Sequence, residues 1–249
     1  MSGHSKWATI KHKKGAADAK RGKLFAKLIR QVEVAARNGG GDPDMNPTLR
    51  TMFQKARDAS VPLDTIERAI KRGTGELEGV NYEEITYEGY APGGVALIVE
   101  ALTDNRNRTG SDVRSGFTKL GGSMAEPGAV AWQFERKGIV IVGGGADEDD
   151  VMMAALEAGA EDVAGDGELW TVTCEPGDLD AVRTALEESG LGVESSDLTM
   201  VATTPIELTS VEDARPVMRM IEALDDLDDV QNVYTNADIA DEVMADLDA

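Results

Sequence analysis

The run Lys6-Trp7-Ala8-Thr9-Ile10-Lys11-His12-Lys13-Lys14, with Lys20, Arg21 and Lys23 close behind, sets cations around one aromatic ring in a stretch too polar to form a core. The chemistry open to such residues is phosphate contact. Lysine neutralises phosphates and releases their counterions, and an indole can stack on an unpaired base or wedge into a groove. The same residues would also serve as a solvated basic tail, with Trp7 packed on neighbouring helices. The candidate nucleic-acid contacts are therefore Lys6, Trp7, Lys11, His12, Lys13, Lys14, Lys20, Arg21 and Lys23. A second candidate, for a single anion, is Arg106 with Arg108 in Asn105-Arg106-Asn107-Arg108-Thr109. There a strand gives way to a helix whose free N–H groups attract anions beside two guanidinium forks. The bland alternative has Thr109 as a plain N-cap and both arginines paired with nearby carboxylates.

Charge distribution sharpens the first candidate. The net charge of the 249 residues is −21, which by itself predicts repulsion of phosphate. Through Gly73, however, there are 16 basic and 7 acidic residues, against 9 basic and 39 acidic afterwards. The chain is electrically bipolar, about +9 and then about −30, and solubility alone explains that contrast poorly.

Other chemistries find little support. Both histidines lie in the basic arm and Cys174 sits mid-strand as a small buried hydrophobe, so no triad can be assembled. Gly15 to Gly22-Lys23 has the wrong spacing for a phosphate loop, and Leu24 replaces the required hydroxyl. Gly143-Gly144-Gly145 leads into Asp147-Glu148-Asp149-Asp150, which suits a helix N-terminus and would repel a dinucleotide. Those carboxylates, like Asp225-Asp226 and Asp228-Asp229, read as solvated faces before they read as metal ligands. No catalytic residue, metal or cofactor is expected, and an enzyme with an acidic metal site is the weakest of the three function classes. One cysteine excludes an intramolecular disulfide and a cysteine zinc site, and fits a reducing compartment. With no apolar signal region and no stretch near the ~20 apolar residues that span a bilayer, the expectation is a cytoplasmic protein without membrane contact.

The elements that must position these residues change character along the chain. Leu24, Phe25, Leu28, Ile29 and Val32 follow one helical face, stopped by Gly39-Gly40-Gly41. Asn46-Pro47 reads as an N-cap and first helical residue, opening a stripe of Leu49, Met52, Phe53 and Ala56. A third helix carries Leu63, Ile66 and Ile70 inward and ends at Lys71-Arg72-Gly73, the glycine free to turn left-handed before a flexible Gly73-Thr74-Gly75 joint. Strands follow at 82–90 and 95–102, a helix at 109–120, and a strand at 130–134 with Val130, Trp132 and Phe134 on one face. From Gly138 the order is strand, helix, two strands, helix, strand, the plan of a ferredoxin-like sandwich. After Pro205, a strand at 206–208, a helix at 211–227 and a strand at 230–234 need a partner, and 95–134 would supply strand, helix and strand for a second such unit. The expected fold is α+β: a basic helical domain at 1–75, an acidic discontinuous domain at 76–134 plus 205–249, and an inserted ferredoxin-like domain at 135–204.

With those residues in view the chain resembles the YebC/PmpR family over nearly its whole length. The marks are Gly3-His4-Ser5-Lys6-Trp7 with Ile10-Lys11-His12-Lys13-Lys14, then Ile66-Glu67-Arg68-Ala69-Ile70-Lys71-Arg72-Gly73-Thr74-Gly75. Tyr87-Glu88-Gly89-Tyr90-Ala91-Pro92-Gly93-Gly94, Thr103-Asp104-Asn105-Arg106-Asn107-Arg108-Thr109 and Ala129-Val130-Ala131-Trp132 complete the set. The resemblance implies three domains and a role in gene-expression control. For most of the family that role is described as DNA-binding transcription control. For a mitochondrial branch, and for bacterial members linked to ribosomes stalled on proline-rich sequences, it is translation. The leading expectation is a non-enzymatic nucleic-acid-binding regulator of gene expression, a DNA-binding regulator of transcription in the family's own description. The alternative is a ribosome-associated translation factor whose basic domain contacts ribosomal or transfer RNA.

Overall fold

The computed structural model describes residues 18–248. Helices come first: α1 (Asp18–Gly39), α2 (Pro47–Asp58) and α3 (Leu63–Gly73). Next are β1 (Glu83–Tyr90), β2 (Ala96–Thr103), α4 (Arg106–Lys119) and β3 (Ser123–Ala125). The middle segment is β4 (Phe134–Gly143), α5 (Glu148–Glu157), β5 (Ala160–Gly165), β6 (Leu169–Cys174), α6 (Leu179–Glu188) and β7 (Val193–Ala202). The chain closes with β8 (Ile206–Leu208), α7 (Val211–Asp225), β9 (Val230–Thr235), β10 (Ala237–Ile239) and α8 (Asp241–Asp248). The fold class is α+β. It divides into two compact units, one holding the helical segment through Gly79 with Arg136–Met200, the other Val80–Glu135 with Val201–Ala249.

In the first unit the apolar stripes of the three helices meet: Leu28, Val32, Leu49, Ala56, Ile66 and Ala69 are buried together, with Leu24, Phe25 and Ile29 at the edge. At 12 and 11 residues α2 and α3 are marginal alone, and this shared burial against α1 is what holds them. Asn46 opens α2 as the sequence reads, its Oδ1 accepting from the Leu49 N–H at 3.1 Å with Pro47 at the first helical position. Its Nδ2 also donates to the carbonyls of Ala35 and Gly40, so one buried residue closes α1 and starts α2.

The end of α3 departs from expectation. Gly73 is a buried helical residue; a Cβ there would lie 2.4 Å from the Glu33 carbonyl oxygen and 2.7 Å from the Ala36 Cβ. Glycine is required by the close approach of α1 to α3, and the left-handed residue is Gly75, at φ 84°. Thr74, Gly75 and Leu77 donate to the carbonyls of Ile70, Arg72 and Lys71, so the expected joint is a hydrogen-bonded helix end.

The middle segment forms a sheet in the order β5-β6-β4-β7, with β6 antiparallel to both β4 and β5. That is the strand order of a ferredoxin-like βαββαβ unit. Val140, Val142, Val172 and Cys174 pack against Val151 and Ala155 of α5 and Leu179, Val182 and Leu186 of α6.

The second unit has the sheet order β3-β1-β2-β9, and here the sequence reading is corrected twice. The strand at 206–208 does not enter this sheet but pairs in parallel with β10. Its place goes to β1, which runs antiparallel to β2 from Glu83↔Thr103 to Tyr90↔Ala96. Eight residues joined by a short turn pair locally more readily than three residues a hundred positions away. The expected strand at 130–134 is also absent: Ala131–Gln133 is a 3₁₀ turn and β4 begins only at Phe134.

Candidate nucleic-acid interface

On α1 the register sets Lys23, Lys27 and Arg30 at i, i+4 and i+7, on the side opposite Leu24, Leu28 and Val32. Lys23 is exposed and the other two are half-buried, as long stems lying along a helix with the charge outward would be. Lys20 and Arg21 fall in the first turn of α1, and Lys20 continues the same register. Their side chains, and Lys6, Trp7, Lys11, His12, Lys13 and Lys14 altogether, lie outside the described residues.

Several helix cations pair with carboxylates within the first unit. Glu33 is buried on α1 and takes Arg72 Nε at 2.8 Å and Arg37 Nη2 at 3.3 Å, which fastens α3 to α1. On α2, Arg50 Nη1 meets Asp180 at 3.0 Å and Lys55 Nζ meets Asp197 at 2.5 Å, both carboxylates belonging to the middle segment. In return Arg183 of α6 reaches back to both Asp58 oxygens, at 2.7 and 3.2 Å, and also donates to Ser196 Oγ and Glu187. Burial disfavours the charged guanidinium of Arg183, but Asp58 and Glu187 outweigh it and raise its pKa further. The ion pairs that tie α2 to the middle segment thus engage Arg50 and Lys55. The stripe on α1 is the cationic surface that continues the basic run of the first residues.

The segment around Arg106 and Arg108 belongs to the second unit and resolves differently from its expected cap. Asn105, not Thr109, caps α4, its side chain accepting from the Arg108 N–H at 3.1 Å. Thr109 is buried, and its hydroxyl lies 2.7 Å from Asp229 Oδ2 and 2.7 Å from Thr103 Oγ1. Arg108 pairs with Asp229 at 2.7 Å and Asp104 at 2.8 Å, and Arg106 with Glu83 at 3.4 Å. Burial would raise the Asp229 pKa, yet the donors from Arg108 and Thr109 hold it below the ordinary carboxylate value. Both arginines pair with carboxylates, while the side chains of Arg106 and Arg108 stay 68% and 47% exposed.

One feature of the second unit was not visible in the sequence. Glu88 on β1 is 6% exposed, and its carboxylate accepts the backbone N–H groups of Gly128, Val130 and Ala131 at 2.6, 2.7 and 2.9 Å. Burial alone would raise its pKa, but these donors outweigh it and lower it. Because the N–H groups of Val130 and Ala131 turn to Glu88, they do not enter a ladder, and the chain makes a 3₁₀ turn instead of a strand. Trp132 is consequently 69% exposed rather than aligned with Val130 and Phe134, with its Nε1 donating to the Ala129 carbonyl at 3.0 Å. A buried glutamate followed some forty residues later by a glycine-containing loop was the only available signal, and sequence alone does not pair the two.

Among the described residues no group of three or more His, Cys, Asp or Glu side chains is arranged to hold a metal ion, and no helix is long and apolar enough to cross a membrane. Cys174 is buried, and burial followed by the charges of Asp178, Glu161 and Glu175 pushes its thiol up to about 11, which leaves it a poor nucleophile.

Comparison with known proteins bears on the whole chain. Residues 5–76 match the TACO1/YebC protein N-terminal domain, and residues 82–237 match the TACO1/YebC second and third domain. A probable transcriptional regulatory protein of Thermobifida fusca is 62% identical over 247 residues, covering 98% of this chain and 99% of its own. Proteins of the same description from Beutenbergia cavernae and Desulfatibacillum aliphaticivorans are 59% and 55% identical, covering 100% and 98% of this chain and 99% of each relative. The crystal structure of a conserved hypothetical protein from Aquifex aeolicus superposes with a TM-score of 0.83 at 46% identity, over 91% of this chain and 94% of that one.

Proposed function

The chain belongs to the TACO1/YebC family, and from that premise we propose that it is a non-enzymatic regulator of gene expression that binds nucleic acid through its helical domain. The relatives' shared description as probable transcriptional regulatory proteins supports the regulatory role. The observation that carries the binding surface is the cation stripe Lys23, Lys27 and Arg30 on the outer face of α1, leading directly from the Lys- and Trp-containing first residues. Phosphates are the ligands such a stripe serves best. The protein works in the cytoplasm and needs no cofactor on this reading.

DNA is the target implied by the relatives' description. A second reading, RNA in a translating ribosome, is favoured by the ion pairs that draw Arg50 and Lys55 to the middle segment. They place that segment, with 16 acidic and 3 basic residues between 136 and 200, beside the basic helices within one unit. An extended duplex bound to the helical segment would meet the repulsion of these nearby carboxylates, whereas folded RNA presents phosphates in patches that accommodate both signs. The outer positions of α3, Asp64, Glu67, Arg68 and Lys71, mix both signs and make a poor reader of a major groove.

The test is the salt dependence of binding by the full chain, measured with duplex DNA and with structured RNA. Changing Lys23, Lys27 and Arg30 together to Ala should weaken binding to every sequence alike and flatten the log–log salt slope by roughly one unit per lost phosphate contact. An unchanged slope with both polymers would remove the stripe from the interface.

A further inference from the structure

Helix α5 is apolar on two sides. Val151 and Ala155 face the core and are fully buried, while Met152, Met153 and Leu156 on the opposite side are 37%, 61% and 49% exposed. A surface helix ordinarily has one apolar stripe and a polar outer face. Its neighbour α6 follows that rule, burying Leu179, Val182 and Leu186 and turning Ala181, Thr184, Glu187 and Glu188 outward. The three exposed side chains of α5 stand at i, i+1 and i+4, so they form one patch rather than scattered surface residues. Asp149, three residues before Met152, heads the same stripe, and Glu148, Asp150 and Glu157 flank it, all exposed.

We propose that this face of α5 docks a basic amphipathic helical segment of a partner protein. Charge selects the occupant. Nucleic acid is repelled by the acidic middle segment. A second copy related by a two-fold axis would meet the patch with the same patch, setting Asp149 and its neighbours against their own kind. A helix with leucine-type anchors between lysines or arginines satisfies both the apolar stripe and its carboxylate rim. Methionines suit such a seat because their unbranched, polarisable side chains adapt to differing anchors. This surface is independent of the cation stripe on α1 and stands whether or not nucleic acid binds there.

The experiment titrates the full chain with two synthetic fourteen-residue helical peptides of equal positive charge, one carrying leucine at helical spacing between lysines, the other serine in place of every leucine. The leucine peptide should bind at least about tenfold tighter, the effect of roughly one buried apolar side chain. The double change Met153→Ser with Leu156→Ser should remove that preference and leave both the serine peptide and nucleic-acid binding unaltered. Circular dichroism checks that the variant folds, and Met153→Gln, a good helix former, serves as a second variant that should halve the preference or more. Equal affinity for the two peptides, or a preference that survives both variants, overturns the proposal. So does a concentration-dependent dimer of the wild type that the double variant loses, which would assign the face to a second copy.

Discussion

Glu88 offers the sharpest perturbation of the second unit. Its carboxylate accepts three backbone N–H groups, one from Gly128 on Oε1 and two, from Val130 and Ala131, on Oε2. In Glu88→Gln only one oxygen remains to accept. If it faces Val130 and Ala131, the new NH₂ meets the Gly128 N–H donor to donor, so one bond is lost and two change from charge-assisted to neutral. Bonds to charged groups contribute about 1.5–3 kcal/mol and neutral ones about 0.5–1.5 kcal/mol, so each conversion costs about 1 kcal/mol and the lost bond at least as much. The expected destabilisation is about 3 kcal/mol, a large share of an ordinary domain's 5–15 kcal/mol. Hydrogen exchange read at Val130 and Ala131, with urea unfolding beside it, checks this. Both amides should exchange faster by more than tenfold, and the midpoint should fall. The pH dependence adds a second reading. The folded pKa lies below the ordinary value, so the stabilisation is complete above the unfolded pKa near 4.3 and is lost as pH falls through the folded one. Glu88→Gln should lack that acid limb. Unchanged exchange at both amides, with stability altered by less than about 0.5 kcal/mol, would refute the assignment, because the bonds would then contribute nothing.

Three further outcomes follow from single contacts. Arg183→Met leaves Asp58 half-buried without its cation, with the Gln54 amide still donating to it, and should lower stability by about 2–3 kcal/mol, somewhat less than for a fully buried pair; calorimetry should show Asp58→Asn recovering part of the loss in the double variant. Ser60, at φ 63° between α2 and α3, holds a conformation glycine adopts without strain, and Ser60→Gly should raise the urea midpoint by the equivalent of about 0.5–1 kcal/mol. Cys174, with its thiol pushed up to about 11 and no exposure, should resist iodoacetamide at neutral pH and react only in denaturant, whereas prompt modification of the native chain would contradict its burial.

What the sequence discloses here is what depends on neighbours along the chain. The cap at Asn46, the proline after it, the inward stripe of α1 and the burial of Cys174 all follow from local spacing. Contacts set by distant partners are not legible. Arg50 and Lys55 look like ordinary helix surface until α2 meets Asp180 and Asp197, 130 and 142 residues on. The sequence reading offered Thr109 as the cap of α4; Asn105 caps it instead, and the Thr109 hydroxyl turns inward to Asp229, just before β9 and 120 residues away. Trp132 could not be placed outside a strand without knowing that Glu88 takes the N–H groups a ladder would need. The weighting of β1 over β8 is likewise a matter of which strand reaches β2 first, a question of topology rather than of propensity.

The central claim is that nucleic acid is held on the helical domain. Ultraviolet crosslinking of the full chain in growing cells, followed by mass spectrometry of the crosslinked peptides and sequencing of the attached nucleic acid, tests it most directly. The account predicts crosslinks within residues 1–37, on the Lys- and Trp-containing first residues and the Lys23, Lys27 and Arg30 face of α1, and the attached polymer identifies DNA or RNA as the target. Crosslinks confined to residues 80–249, or none above the level of a charge-matched acidic control protein, would contradict it.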